Sequence, residues 1–150
     1  MEQAKNANFR FVSYLIKDLS LSLKDFVSTD EISLNLELNA TVPSNGEDLQ
    51  PQLEIVVDMQ DKVGDFSLKM RIVGSFEADE NVESQQLNAF IALNAPAILF
   101  PYIRAFISSI TAQAGIQPII IPTVNLYGLG QELLSSMNAN KQTSGSCSKI

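Results

Sequence analysis

The sequence predicts an α+β fold: a four-stranded antiparallel sheet followed by a long kinked helix and a short C-terminal helix. Three observations lead there. Apolar and polar residues alternate through the first half, the mark of strands with one buried face. After Glu83 the alternation stops and the pattern turns helical. Finally, Asp30 to Glu83 holds 13 acidic residues against 3 basic ones, whereas Ser84 to Gln131 carries one formal charge, Arg104. An acidic, solvated half therefore precedes a half that must hide its surface. Monomers seldom leave contiguous apolar patches beyond about 300–600 Å² without a binding purpose.

The elements follow in order. Leu15, Leu19, Leu21 and Leu23 are expected on one face of a first strand, with Ser20, Ser22 and Lys24 opposite and Lys17 breaking the apolar row. Ile32, Leu34, Leu36, Leu38, Ala40 and Val42 alternate cleanly through a second. Leu53, Ile55, Val57 and Met59 mark a third, and Phe66, Leu68, Met70 and Ile72 a fourth, with Gly74 at its end or in a bulge. Pro43-Ser44-Asn45-Gly46 and Asp61 to Asp65 have turn chemistry. One polar face per strand implies antiparallel pairing, because parallel strands are usually buried on both faces.

Val82 to Leu93 suits a helix, and a stronger one is expected from Ala95 to Ala114. Pro96 fits its first turn, Gly115 stops it, and Pro101 should kink it. Its apolar side chains wrap most of the circumference, more than one sheet can cover, so a second subunit is the simplest cover. Ile116 to Pro122 reads as an extended apolar loop, since both its prolines break helices. Asn125 caps a last helix from Leu126 to Met137, which Gly128 and Gly130 weaken by about 1 kcal/mol each. Residues 1–137 form a single domain, and 138–150 read as a disordered polar tail.

Composition narrows the chemistry. The chain has no histidine, so imidazole-based metal sites and Ser–His or Cys–His catalysis are excluded within one chain. The single cysteine, Cys147, rules out a disulfide framework. The pairs Glu47/Asp48, Asp58/Asp61 and Asp79/Glu80 lie among turn or surface residues rather than in an evident pocket, so no catalytic residue, metal or cofactor is assigned. The net charge of −7 repels a phosphate backbone, so no nucleic-acid partner is expected. Leu87 to Ile103 is short and proline-interrupted for a membrane span, so no membrane insertion is expected. The N-terminus has no signal-peptide run, which suits a cytoplasmic location.

Leu99-Phe100-Pro101-Tyr102, then Arg104 and Ile107, resembles the LFPYAR…I core of the bacterial export chaperone family SecB. Gly115…Pro118 followed by Val124-Asn125-Leu126 is similar to that family's GTFP…VNF segment, and Lys17-Asp18-Leu19-Ser20 to its KDIS strand. The resemblance spans about Phe9 to Met137. It implies a homotetramer built as a dimer of dimers, with the long helices packed between outer sheets. It also implies an ATP-independent, cofactor-free chaperone that holds unfolded polypeptides in hydrophobic grooves and passes them to the ATPase SecA.

Several site residues follow. The client groove is expected to use Ile116, Ile119, Ile120, Ile121, Val124, Leu126 and Tyr127, with Leu133 and Leu134 completing it. By resemblance Phe26 and Val27 line it too. Leu99, Phe100, Tyr102, Ile103, Phe106, Ile107 and Ile110 are expected at the subunit interface. Asp18 and Leu68 match contacts for the partner ATPase, but Ser22 and Met70 stand where two further carboxylates are expected, and the tail has no acid after Glu132. SecA is therefore an uncertain partner. Preproteins or the antitoxin of a toxin–antitoxin pair are the candidate clients. A carrier for a small apolar ligand, or an enzyme working with carboxylates alone, are the competing readings.

Overall fold

The computed structural model describes residues 8–24, 31–43 and 50–142. Four strands form one antiparallel sheet: β1 (Phe9–Leu23), β2 (Ile32–Thr41), β3 (Gln52–Asp61) and β4 (Phe66–Ala78). Their order is β1-β4-β3-β2, so β1 and β2 are the edges. Helix α1 (Ser84–Ala89) runs through a π turn (Phe90–Asn94) into α2 (Ala95–Gln113), and α3 (Leu126–Gln142) follows an extended loop. The α+β fold with its sheet, long helix and C-terminal helix is the one expected.

The two central strands follow the alternation closely. Leu53, Ile55, Val57 and Met59 of β3 and Phe66, Leu68, Met70 and Ile72 of β4 are buried on one face. Against them lie Ile91, Ala95, Leu99, Phe100, Ile103 and Ile107 from the helical half. The inward residues of β2 are half-buried, as befits an edge.

β1 departs from its simple alternation. Its register with β4 slips between Phe11 and Ser13 and again between Ile16 and Asp18. Each β-bulge adds a residue and moves the next side chain to the other face. Lys17 is the extra residue of the second bulge, which is why it breaks the apolar row without facing the core. Phe11, Ile16, Leu21 and Leu23 pack on the core, while Leu15 stands 60% exposed.

Gly74 neither ends β4 nor bulges it. It sits mid-strand under α2, where an added Cβ would fall 2.6 Å from Leu99 Cδ2. The missing side chain lets the helix lie close on the sheet.

The helix irregularity falls at the π turn, where Ala95 N–H donates to the Phe90 carbonyl five residues earlier. Pro96, the second residue of α2, has no N–H to offer the Ala92 carbonyl. Pro101 is inside continuous helix and exposed, beside an exposed Ala97 whose carbonyl water can serve. From Ser84 to Gln113 the helix is long and apolar enough to cross a membrane by length and composition, but its inward face fills the core of this fold.

Gly115 ends α2 as expected, with φ of +94°. Ile116 N–H reaches the Thr111 carbonyl (3.3 Å) and Gly115 N–H the Ala112 carbonyl (3.2 Å), the pair of bonds that closes a Schellman turn. Asn125 Oδ1 accepts the Gly128 N–H at 3.1 Å and caps α3. That helix continues past Met137 to Gln142, into the stretch expected to be a tail.

Candidate functional site

The loop between α2 and α3 is folded back onto α2 by two hydroxyls. Ser108 Oγ donates to the Ile119 carbonyl at 2.9 Å, and Ile119 N–H donates to Thr111 Oγ1 at 3.0 Å. Thr111 is fully buried, and its hydroxyl in turn donates to the Ile107 carbonyl at 2.7 Å. Both backbone groups of Ile119 are thus satisfied by one helical turn of α2. The chain is extended here, so neighbours alternate: Ile119 and Ile121 point into the core, and Ile120 stands 73% exposed.

Beside this loop is a depression of about 260 Å³. Its sheet side is Ile32 and Leu34 of β2 with Met59 of β3, and its other wall is the loop from Gln117 to Pro122.

Only part of the expected groove set remains accessible. Ile120 and Tyr127 are exposed. Ile116, Val124, Leu126 and Leu133 are half-buried against the core, and Leu134 is half-buried. Ile119 and Ile121 lie in the loop wall of the depression but are nearly or fully buried, with Ile119 fixed by the Ser108/Thr111 clamp, so of the three consecutive isoleucines only Ile120 is exposed. Leu133 and Leu134 do not line the depression; β2 takes the place expected of α3. Phe26 and Val27 lie outside the described residues. Ile32 and Leu34, on the sheet side of the depression, carry the alternation of ordinary core positions, so nothing in the sequence singles them out.

The expected interface set also divides. Leu99, Phe100, Ile103 and Ile107 are buried in the chain's own core, so they present little or no surface outward. Phe106 and Ile110 are half-buried, and Tyr102 is 40% exposed. Tyr102 packs on Tyr14 and Phe11 of β1, with ring centroids 4.8 and 5.6 Å away. Val12, Tyr14, Leu15 and Leu19 are exposed along the same strand. The uncovered apolar surface therefore runs along the β1 edge and one flank of α2.

The outer face of the sheet is polar. Arg71 is its hub, paired with Asp18 at 2.7 Å and Glu54 at 3.1 Å. The hydrogen bonds it donates to these two carboxylates, Asp18 first, raise the guanidinium above its ordinary pKa, so it stays charged. Asn39 Nδ2 also donates to Glu54 at 3.1 Å. The expected ATPase contact is corrected here. Leu68 and Met70 are completely buried on the inner face, and the outward residues of β4 are Ser67, Lys69 and Arg71. Strand parity, one residue out, separates the two readings.

Comparison with known proteins gives a consistent picture. The family profile for SecB, preprotein translocase subunit SecB, matches residues 2–136. A protein of Methanocaldococcus jannaschii designated MJ0357 is 31% identical over 150 residues, covering 95% of this chain and 96% of that one. The protein-export protein SecB of Dechloromonas aromatica is 28% identical, covering 89% of this chain and 91% of its own. That of Rickettsia massiliae is 30% identical, covering 80% and 84%. Among solved structures, the Mycobacterium tuberculosis Rv1957 SecB-like chaperone, in complex with a ChAD peptide from the Rv1956 HigA1 antitoxin, shares the fold. Its TM-score is 0.63 at 12% identity, covering 78% of this chain and 91% of that one.

Proposed function

Because the chain belongs to the SecB family, a family of chaperones and not enzymes, we propose that it is an ATP-independent holdase for non-native polypeptides. The observation that carries this reading is the depression beside Ile120. It is lined by Ile32 and Leu34 of β2, Met59 of β3 and the loop from Gln117 to Pro122, whose backbone at Ile119 is fixed on α2 by the Ser108 and Thr111 hydroxyls. Exposed apolar groups at its rim gain about 25 cal/mol per Å² when a client covers them, without regard to sequence. The acidic body adds attraction for basic segments of an unfolded chain.

The working form is a cytoplasmic homotetramer, a dimer of dimers. Tyr14, Leu15, Leu19 and Tyr102 are what a second copy would cover, since a long exposed edge strand with apolar side chains invites pairing. No cofactor is needed. The client is a preprotein or an antitoxin, the latter by analogy with the peptide bound to the M. tuberculosis chaperone. Transfer to SecA through an acidic outer face is disfavoured, because Lys69 faces outward and Arg71 already occupies Asp18. The role test is suppression of aggregation of a denatured protein, with the complex weighed by native mass spectrometry. A chain that neither suppresses aggregation nor binds the denatured client overturns the proposal.

A further inference from the structure

Helix α2 carries two hydroxyls that the helix itself has no use for. Ser and Thr are neutral to unfavourable inside a helix, because their side chains compete with the backbone ladder. Ser108 and Thr111 stand three residues apart, on one face of α2. Both are aimed at a single loop residue, Ile119.

Their roles are not interchangeable. The Ile119 carbonyl can only accept, so Ser108 Oγ donates to it. The Ile119 N–H can only donate, so Thr111 Oγ1 accepts it. Thr111 is free to accept because its own proton goes to the Ile107 carbonyl. Among the described residues no other hydrogen bond reaches 117–123. Pro118 and Pro122 bring no N–H of their own. Gln117, Pro118, Ile120, Pro122 and Thr123 are exposed. The shape of this stretch therefore depends on one polar clamp and on the burial of Ile119 and Ile121.

That shape is the one that displays Ile120. The chain is extended, so Ile120 points opposite to its two buried neighbours, in the wall of the depression it shares with Ile32, Leu34 and Met59. A loop ordered only on contact weakens binding by the cost of ordering it; a loop fixed beforehand does not.

We propose, resting on the holdase reading, that Ser108 and Thr111 are positioning residues of the client site. They act through Ile120, by keeping the loop wall in its client-ready shape before a client arrives. A client still has the sheet side of the depression when the loop is loose. Loss of the clamp therefore weakens binding at most as much as loss of Ile120. If only about one-tenth of the molecules keep the clamped shape, the contribution of Ile120 falls nearly in proportion.

The test is fluorescence anisotropy of a labelled, permanently unfolded probe, reduced and carboxamidomethylated lysozyme, titrated with the full chain. Ile120→Ser should weaken binding roughly fivefold. Thr111→Val should weaken it by roughly three- to fivefold. Ser108→Ala, at a half-buried position, should do the same and serves if the valine variant fails to fold. Thr111→Ser keeps the hydroxyl and should bind as the parent does. The double variant Thr111→Val/Ile120→Ser should bind no more weakly than Ile120→Ser alone, since both changes remove one contribution. Ile72→Val is the control for general destabilisation. It lies in the core four residues along β4 from Leu68, the register partner of Met59, and should bind as the parent does. Parental affinity in both clamp variants, additive losses in the double variant, or an equal loss in Ile72→Val overturns the proposal. A parent that binds while Ile120→Ser is silent overturns it and leaves the holdase reading standing. A parent that does not bind the probe removes both.

Discussion

Gly130 of α3 rests against the backbone carbonyl of Ala92 in the π turn, so closely that a Cβ on Gly130 would overlap the oxygen. Ala92 is also the residue whose carbonyl loses its helical donor to Pro96. The proline, the π turn and the glycine thus serve one contact, the seat of α3 on the long helix.

Gly130→Ala should therefore destabilise the protein. In an isolated helix the change favours folding by about 1 kcal/mol. Here the overlap is with backbone, which cannot swing aside, and overpacking costs about 1–3 kcal/mol or more. Gly128→Ala should cost less, since its Cβ would meet the end of the Asn125 side chain. Urea unfolding of both variants checks the ranking; equal midpoints would contradict it.

Ile120→Ser and Ile121→Ala should separate binding from stability. Ile120 is exposed, so its loss should leave stability within about 0.5 kcal/mol while weakening aggregation suppression. Ile121 is fully buried, and its truncation should cost about 2–5 kcal/mol. If Ile120→Ser protects a denatured client as well as the parent does, the client site lies elsewhere.

Thr111→Val should loosen the loop without removing apolar bulk. It strands the Ile119 N–H in a buried place, at a cost of about 1–3 kcal/mol. Thr111→Ser keeps the hydroxyl and should cost less. Hydrogen exchange at the Ile119 amide reads the effect: faster in the valine variant, near parental in the serine variant.

Tyr102→Glu should split the proposed assembly and leave the fold intact, whereas Ile103→Glu should unfold the chain. Tyr102 stands on the exposed flank and Ile103 is buried on the sheet. An unpaired charge closed into an interface costs about 3–5 kcal/mol. Sedimentation at micromolar concentration together with circular dichroism distinguishes the outcomes. A parent chain that sediments as a monomer would refute the tetramer.

SecA binding should be weak and indifferent to Asp18→Ala, because Asp18 already serves Arg71 and an exposed ion pair is worth about 0–1 kcal/mol. Lys69→Glu should strengthen it by supplying the outward carboxylate. Tight binding by the parent that disappears with Asp18 would show this reading to be wrong.

The sequence by itself determined what depends on short-range pattern. Period-two alternation made β2, β3 and β4 legible because each side chain's face follows from its neighbours'. Gly115 and Asn125 were legible as helix punctuation for the same reason: the groups they satisfy are within a few residues. The apolar second half showed that something must be covered, and LFPY-x-R pointed to the family. Tertiary structure decided what depends on distant partners. The two bulges of β1 answer to its register with β4, so Leu15 faces out and Ile16 faces in. Gly74 is explained only by Leu99 above it, and Gly130 only by Ala92. Ile119, Ile120 and Ile121 are chemically alike, and nothing local separates them. Ser108 and Thr111 separate them, because a buried backbone needs its hydrogen bonds and these hydroxyls supply them at one residue. That choice sets which isoleucines belong to the core and which one stays exposed.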